Sequence, residues 1–527
     1  MNSRNAITPS TNLYLLKLPL ELSDRNQLTW SNKEEQYNYF SNLEKLEVNN
    51  FTYQRKDSII RYSANVDSIL NYNYVMYQNE NYSDKWFYAY IEEMRYINDS
   101  MTEIIIKTDV FQTWLFDMEF KDSFVEREHV SDDTIGFHTI PEGLELGEYT
   151  TIFHEIEPWN NDTTNILAST TDPDSLSGIT GGIFGGIPSG LRYYRYDTIG
   201  LASDTTATTL LGAINRLNND GKQDAITGLF LAPKWLSGED SKNIPIANSD
   251  TPQTKTIEIS KINSLNGYAP KNNKLFTYPY CLLEVSNNSG QATVYYPERW
   301  NTNTNNKYEM IMRGTLTPGC SIRIYPKNYN GDFNPYDEGI TLGKFPQLNW
   351  ITDQYTNWLT QNGVGIGVLK IPANLVNLGE PIVDLATSKT PFQQGMALSS
   401  VYNAIRTNYQ HSILPNTAEG NLNSGDVTAG MKENRFHFYG RTIKSEYAKV
   451  IDKYFSMFGY KINEVKVPEL NTRKYWNYIK CIGANIHGYF NQSDLNELSS
   501  MFNNGVTLWH SPNNFLNYSL DNTIVRS

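Results

Sequence analysis

In the first part of the chain, short strand-like segments are separated by polar turns. Residues 13–18 form one such segment, residues 59–66 alternate between apolar and polar side chains, and residues 86–91 and 104–106 continue the pattern. Successive side chains of a strand point to opposite faces, so this alternation predicts half-buried β-strands. A series of short strands joined by turns, such as the turn at 98–100, predicts a barrel or a sandwich.

The last part of the chain predicts two helices and a strand. Residues 445–458 carry apolar residues at helical spacing, and the predicted apolar face consists of Val450, Ile451, Tyr454, Phe455 and Phe458, with a stop at Gly459. A second helix is predicted from about Asn491 to Gly505, with Asp494 in its first turn and an apolar stripe of Leu495, Leu498 and Phe502. Residues 506–510 predict a buried strand. The predicted fold class is therefore α+β, predominantly β, in several domains.

Length and charge limit the class of protein. A chain of 527 residues is too long for a single hydrophobic core, so about three or four domains are expected. The net charge of -13 argues against sequence-specific DNA binding, which depends on Lys and Arg. No signal peptide is visible and no run of 18 apolar residues occurs, so we expect synthesis in a cytoplasm and no transmembrane helix.

The sequence lacks the motifs of catalytic, cofactor and metal sites. Cys281, Cys320 and Cys481 are too few and too far apart for a disulfide framework or a zinc site. The segment that begins at His154 lacks the second histidine of a zinc-hydrolase helix, and Pro158 would break such a helix. Neither a phosphate-binding loop nor a GxSxG elbow occurs. The sequence predicts no catalytic residue, no cofactor and no metal.

Two pairs of carboxylates need a decision between two interpretations. Glu155 and Glu157 are two residues apart on a predicted strand, and so are Glu126 and Glu128. Such a pair projects from one face at roughly 6.5 Å, which is near the separation that an inverting glycosidase needs. Alternating glutamates are common on exposed strand faces, so we interpret both pairs as solvated and worth only tenths of a kcal/mol each, on the order expected of surface positions.

A set of segments occurs in the order found in one protein family. They lie at residues 85–89, 109–116, 124–130, 142–144, 278–281, 459–463, 465–468, 472–474, 494–495 and 502–510. Through them the chain resembles the tail knob, or distal tail tube, proteins of small short-tailed bacteriophages of Gram-positive hosts, the phi-twenty-nine-like group. The resemblance covers roughly residues 10–150, 275–365 and 435–527, and it is faint in the middle of the chain.

The resemblance implies a virion structural protein, not an enzyme, located in the distal tail. It implies a homo-oligomer, a hexamer, with barrel-like domains that close into a ring or tube, in contact with other tail proteins. Double-stranded DNA would pass through the lumen without specific binding, and an acidic wall suits that passage because it repels the duplex. The corresponding domains are residues 1–150 (tube domain, first part), 151–275 (inserted polar domain), 276–362 (second β-rich domain), 363–431 (long loop) and 432–527 (return to the tube domain).

The long loop is the candidate site. In the family the matching loop is hydrophobic, plugs the tube and acts on the membrane. Here the charged residues Lys370, Glu380 and Asp384 interrupt the hydrophobic sequence. These charges are more compatible with plugging the tube than with insertion into the host membrane. The candidate plug or membrane residues form its uncharged start: Gly363, Val364, Gly365, Ile366, Gly367, Val368 and Leu369. Seven residues are too short to span a bilayer but long enough to lie at its interface.

Two other classes of protein remain open at this stage. A cell-wall-binding or cell-wall-cleaving tail protein would account for the Tyr and Asn content and for the polar insertion. A different virion part, such as a connector or a fibre, would have another symmetry. A zymogram separates the first alternative from a tube, and negative-stain microscopy separates the second.

Overall fold

The chain folds into two compact units, each assembled from separate stretches of sequence. The computed structural model describes residues 11–49, 58–79, 85–157, 163–178, 182–184, 187–189, 191–201, 203–222, 225–237, 254–288, 290–301, 306–316, 321–331, 333–342, 347–348 and 435–525. Unit 1 consists of Met1–Gly147, Tyr268–Leu275 and Ser445–Ser527, and unit 2 of Glu148–Gly267 and Phe276–Lys444. The chain therefore passes between the units four times.

Strands dominate both units, which confirms the predicted fold class. The strands of unit 1 are β1 Thr11–Leu16, β2 Asn26–Leu28, β3 Lys45–Asn49, β4 Ile59–Tyr62, β5 Tyr74–Asn79, β6 Trp86–Asn98, β7 Met101–Thr108, β8 Glu119–Phe120, β9 Ser123–Glu128 and, after unit 2, β24 Tyr460–Lys466, β25 Trp476–Ile482, β26 Ile486–His487 and β27 Val506–Trp509. Those of unit 2 are β10 Tyr149–Ile156, β11 Thr163–Ser169, β12 Gly182–Phe184, β13 Ile187–Ser189, β14 Arg192–Tyr196, β15 Ile226–Pro233, β16 Thr254–Ser260, β17 Cys281–Ser286, β18 Ala292–Tyr295, β19 Lys307–Thr315, β20 Ser321–Pro326, β21 Ile340–Leu342, β22 Gln347–Leu348 and β23 His437–Ile443.

The helices within the described ranges are few. They are α1 Lys33–Ser41, α2 Val110–Trp114, α3 Leu210–Asn219, α4 Lys234–Ser237, α5 Ser445–Phe458 and α6 Gln492–Asn504, with 3₁₀ turns at Val66–Ser68, Asn273–Phe276, Pro297–Arg299, Tyr336–Glu338 and Pro512–Asn514. Both predicted C-terminal helices and the strand after them are confirmed. Asn491 caps α6 by accepting the N–H of Asp494 at 2.8 Å, and Gly505 follows the helix with a φ of 89°.

Two larger sheets organise unit 1. One has the order β3-β1-β5-β6-β7-β4 and the other the order β2-β27-β25-β9-β24. In the second sheet β9, from the first part of the chain, pairs with β24 and β25 from the last part. Strands from the two ends of the chain therefore belong to one sheet. Both sheets contribute to one apolar cluster, in which Tyr74 and Tyr88 of the first meet Trp476 and Trp509 of the second.

A buried polar group anchors the short helix α2 in unit 1. All five of its residues are buried. Asp109 precedes the helix and accepts the N–H of Gln112 at 3.0 Å and the hydroxyl of Tyr74 at 2.9 Å. A carboxylate before a helix satisfies otherwise unpaired backbone donors, so Asp109 fixes both the start of α2 and its place against β5.

Unit 2 is built around apolar clusters between sheets. The sheets β10-β23-β17-β18 and β16-β19-β20-β21 share one cluster, which includes Leu283 and Phe438 of the first and Tyr308 and Ile324 of the second. A third sheet, β14-β11-β15-β22, packs against α3 through a separate cluster. Among the described strands, β12 and β13 pair with each other and with no strand of these sheets.

One detail of the helix prediction is wrong. Val450 was expected on the apolar face of α5, but it is 70% exposed. The buried residues are instead Ala448, Ile451, Asp452 and Phe455. The true face therefore includes a charged residue, which the apolar pattern assigned to the solvent side.

Candidate functional site

The middle of the chain returns to unit 1 for only eight residues, Tyr268–Leu275, which we call the re-entry segment. Asp452 of α5 holds it. Its carboxylate accepts the hydroxyl of Tyr268 at 2.6 Å, the N–H groups of Lys271 and Asn272 at 2.9 and 3.0 Å, and the amide of Asn272 at 2.8 Å. Asp452 is 2% exposed, so these donors replace the water that its charge has lost.

A second buried carboxylate fixes the other end of the re-entry segment. Glu142 has a fully buried side chain and forms ion pairs with Arg127 of β9 and with Lys274. It also accepts the N–H of Lys461 at 2.9 Å. Burial lowers the pKa of Lys274, although the charge of Glu142 acts in the opposite direction. One carboxylate thus joins residues from all three stretches of unit 1.

Asp133 completes the attachment and borders an open cleft. It accepts the N–H of Asn273 at 2.9 Å and the hydroxyl of Tyr460 at 2.6 Å, and burial raises its pKa. The cleft has a volume of about 720 Å³, and Asp133, Asp452 and Arg473 belong to its wall. It lies entirely within unit 1 and is lined by polar and charged residues from all three stretches.

A buried neutral histidine next to β9 connects β25 and α5 in this region. The Nδ1 of His129 accepts the N–H of Tyr478 at 2.8 Å, which leaves its Nε2 to donate to the carbonyl of Ser456 at 3.1 Å. Burial, with a smaller effect from the charge of Arg473, lowers the pKa of His129 to about 3. The ring is held as one tautomer because both nitrogens have fixed partners.

This arrangement holds chain segments together. The carboxylates of Asp452, Glu142 and Asp133 accept hydrogen bonds or form ion pairs with donors of the chain itself. Among the described residues, no group of three or more His, Cys, Asp or Glu side chains is placed to hold a metal ion.

The prediction of solvated carboxylate pairs is wrong for one member of each pair. Glu157 is 8% exposed and pairs with Lys255 at 2.8 Å, and the side chain of Glu128 is fully buried beside Lys466 at 2.7 Å. The other glutamates of the two pairs, Glu155 and Glu126, are half-buried, and Glu126 forms an ion pair with Lys480 at 2.8 Å. In each pair one glutamate is buried against a lysine of another strand, a contact that alternation along one strand does not reveal.

The remaining predicted positions divide into described and undescribed residues. Cys281 and Cys481 are buried free thiols, whereas Cys320 lies outside the described residues. The candidate plug residues, Gly363 to Leu369, and the whole loop at 363–431 also lie outside them. Within the described part of the chain, none of the helices has the length and apolar character needed to cross a membrane.

The sequence prediction missed the residues that hold the re-entry segment. A usable indication was present for Asp452, because it lies one helical turn from Ala448 and from Phe455, within the apolar stripe of α5. A charge within such a stripe requires a buried partner. For Glu142 no local indication exists, since Lys274 is 132 residues away in sequence.

Comparison with known families gives two matches that together cover both ends of the chain. Residues 246–523 match the family model described as Bacillus phage phi29, tail knob protein gp9, C-terminal domain. Residues 10–119 match the model described as caudoviral major tail protein N-terminus. The first match spans more than half of the chain.

Individual proteins agree with the family matches. The chain is 28% identical to the tail knob protein gp9 of Bacillus phage PZA and 26% identical to that of Bacillus phage phi29, with 98% of both chains covered in each case. It is 25% identical to the tail knob protein gp9 of Bacillus phage B103, with 93% of this chain covered and 94% of the other. A solved structure, that of the bacteriophage C1 tail knob protein gp12, matches with a TM-score of 0.65 over 98% of this chain and all of that one. At 14% identity, this last similarity shows the fold alone.

Proposed function

The chain belongs to the tail knob protein family of phi29-like Bacillus phages, and from that premise we propose that it forms a closed, six-fold ring or tube through which the phage genome leaves. As a tail knob protein of a short-tailed phage, it is a structural component of the virion tail. The observation that carries the proposal is the similarity to tail knob proteins over nearly the whole chain, together with its mostly β architecture.

The charge of the chain supports a channel for DNA. Each copy has a net charge of -13, so a ring of six copies would be strongly acidic. A channel wall of that sign repels the phosphate backbone and keeps the duplex from adhering while it moves. The DNA would therefore be a passing partner, without sequence-specific contacts.

The domain assignment is part of the proposal. We assign residues 1–150 and 432–527 to the tube domain, residues 151–275 to an inserted domain and residues 276–362 to a second β-rich domain, except that the re-entry segment belongs to unit 1 and β23 to unit 2. The sheet β2-β27-β25-β9-β24 supports the first assignment, because its strands come from both ends of the chain. The family match that begins at residue 246 supports a boundary near the end of the insertion.

We propose that residues 363–431 plug the tube before infection and make a second contact with the host membrane. The support is compositional: its start, at residues 363–369, is uncharged, with glycine alternating with aliphatic residues before Leu369. Six copies in one ring would act together, so weak individual contacts would add.

Electron microscopy of the purified chain tests the ring. The expected image is a particle with a central hole and six-fold symmetry. Monomers, fibres or rings of another order would contradict the proposal.

A cell-wall zymogram of the same preparation tests for enzymatic activity, and we expect no cleared band. A cleared band that persists after repurification would favour the wall-cleaving alternative.

Two experiments separate plugging from action on the membrane. A peptide of residues 363–385 is tested for leakage of liposomes, with a matched peptide in which Ile366, Val368 and Leu369 are serine. In parallel, virions are assembled with a chain that lacks 363–431. Leakage by the first peptide alone supports a membrane contact, whereas premature DNA loss from loop-deleted virions supports a plug. Intact liposomes with normal infectivity of the deletion would contradict both.

A further inference from the structure

Arg473 is a buried arginine whose nearby carboxylates are already occupied. It is 6% exposed, and its Nε is buried without a hydrogen-bond partner among the described residues. The carboxylates that act on its charge are Asp133 and Glu469. Asp133 accepts from Tyr460 and Asn273, and Glu469 accepts the Nζ of Lys466 at 2.6 Å. A desolvated guanidinium with committed neighbours is costly for the fold, and burial lowers its pKa.

The cleft in unit 1 supplies space next to this residue. Arg473 lines the cleft of about 720 Å³, and so do Lys449 and Lys453 of α5. Lys453 is exposed, and the Nζ of Lys449 lies 5.8 Å from the centre of the Tyr268 ring. A third lysine of the lining, Lys271, is already paired with Asp521 at 2.7 Å. Within the described part of the chain, Arg473, Lys449 and Lys453 of this cleft form no direct ion pair.

The acids of the cleft limit the size of the ligand. Asp452 and Asp133 are satisfied by donors of the chain, while Asp132 is exposed and caps Thr134 at 2.8 Å. A polyanion would meet Asp132 and Asp521 as well as the cations. A single oxyanion group carries fewer charges than a polyanion, so these two acids repel it less. The planar, forked guanidinium suits the two oxygens of a phosphate or a carboxylate.

We propose that this cleft binds one oxyanion group, a phosphate or a carboxylate, on the guanidinium of Arg473, with Lys453 as a second contact. The site goes beyond the tail role and does not depend on it, since all of its residues belong to unit 1 of one chain. A bound anion would supply a counter-charge to this guanidinium, whose Nε has no hydrogen-bond partner among the described residues.

The test uses the purified full-length chain at pH 7. Its thermal midpoint and calorimetric binding are measured in inorganic phosphate, glycerol phosphate and acetate, each against sodium chloride of equal ionic strength. We expect a concentration-dependent rise of the midpoint over chloride, because a ligand that binds only the folded state stabilises it. A rise with both phosphates assigns the site to phosphate groups, and a rise with acetate assigns it to carboxylates. Identical midpoints in all salts would overturn the proposal.

Substitutions then locate the site. Arg473→Met should lose the anion-dependent rise, weaken binding by roughly thirtyfold or more, and unfold in chloride no earlier than the wild type. The matched control is Arg61→Met, since Arg61 is an exposed arginine of the same unit outside the cleft. An unchanged rise in Arg473→Met would refute the site. If that variant does not fold, Lys453→Ala decides, because Lys453 is exposed: binding weakened by roughly twofold to fivefold supports the site, and unchanged binding contradicts it.

Discussion

Units 1 and 2 are both mostly β and both discontinuous, but they differ in the charges that they bury. Among the described residues, the charged residues of unit 1 with buried side chains include Asp109, Arg127, Glu128, Glu142, Lys274, Asp452, Arg473 and Asp494, whereas those of unit 2 include Glu157 and Arg195. The unit 2 core is instead a set of apolar clusters between sheets. Apolar contact is non-directional, while a buried carboxylate requires particular donors in particular places.

This difference follows what each unit has to assemble. Unit 1 must place an eight-residue re-entry segment that is too short to bury a core of its own. Hydrogen bonds and ion pairs to Asp452, Glu142 and Asp133 give that segment one position and one register. We infer that buried charges give unit 1 its specific arrangement of segments, and that buried apolar surface stabilises unit 2. The four predictions that follow test this contrast.

The largest effect is expected from Glu142→Gln. Neutralising this fully buried carboxylate leaves Arg127 and Lys274 buried together without their shared counter-charge. The free energy of unfolding should fall by about 3–5 kcal/mol, as measured by urea denaturation. The control is Glu148→Gln in unit 2, where the side chain is 85% exposed beside Lys444 and no measurable change is expected. Equal midpoints for the two variants would remove the contrast between the units.

A smaller loss is expected from Asp452→Asn. The amide retains one acceptor oxygen but turns an NH₂ group towards the donors of the re-entry segment. Leaving these donors unsatisfied should cost about 2–3 kcal/mol of unfolding free energy. Tyr268→Phe is the matched variant, since it removes one donor at 2.6 Å and leaves the others, for a cost of about 1 kcal/mol. A larger loss in Tyr268→Phe than in Asp452→Asn would show that the hydroxyl, not the carboxylate, organises the segment.

Acid should destabilise unit 1 through its neutral histidines. Burial lowers the pKa of His129 to about 3 and that of His510 to about 4. A lowered folded-state pKa means that the unfolded chain binds the proton first. The contribution is complete above about pH 6.5 and is lost as pH falls towards the folded value, by about 1.4 kcal/mol per pH unit for one histidine. Unfolding free energies at pH 7 and pH 5 measure this slope.

The variant His129→Gln isolates the share of one ring. It should flatten the slope between pH 7 and pH 5, whereas His487→Gln, which changes an exposed histidine of the same unit, should leave the slope unchanged. The raised pKa values of Asp109, Asp133 and Glu128, each caused mainly by burial, act in the opposite direction, because the folded chain binds these protons more tightly than the unfolded chain does. A slope that His129→Gln does not change would place the acid sensitivity elsewhere.

The sequence predicted helices and strands better than it predicted contacts between distant residues. Local periodicity was sufficient for α5, α6 and the strand β27, and the start of α6 near Asn491 was predicted because capping is a contact within four residues. The apolar face of α5 was misplaced because Val450 has the apolar side chain that the helical spacing favours, whereas the buried Asp452 is charged. Partners such as Glu142 and Lys274 join stretches far apart in the chain, and periodicity contains no information on them. The re-entry segment was invisible for the same reason.

The smallest effect is expected from Glu157→Gln in unit 2. Glu157 is nearly buried, but its partner Lys255 has a side chain that is 32% exposed, so the lysine left behind can be solvated. The cost should be about 1 kcal/mol, and that of Glu155→Gln, a half-buried residue that accepts the N–H of Ser260 at 3.3 Å, a few tenths of a kcal/mol. This revises the sequence expectation, which treated the two glutamates as equally solvated. A loss for Glu157→Gln as large as that for Glu142→Gln would mean that unit 2 also depends on buried charge. That result would contradict the proposed contrast between buried charge in unit 1 and buried apolar surface in unit 2.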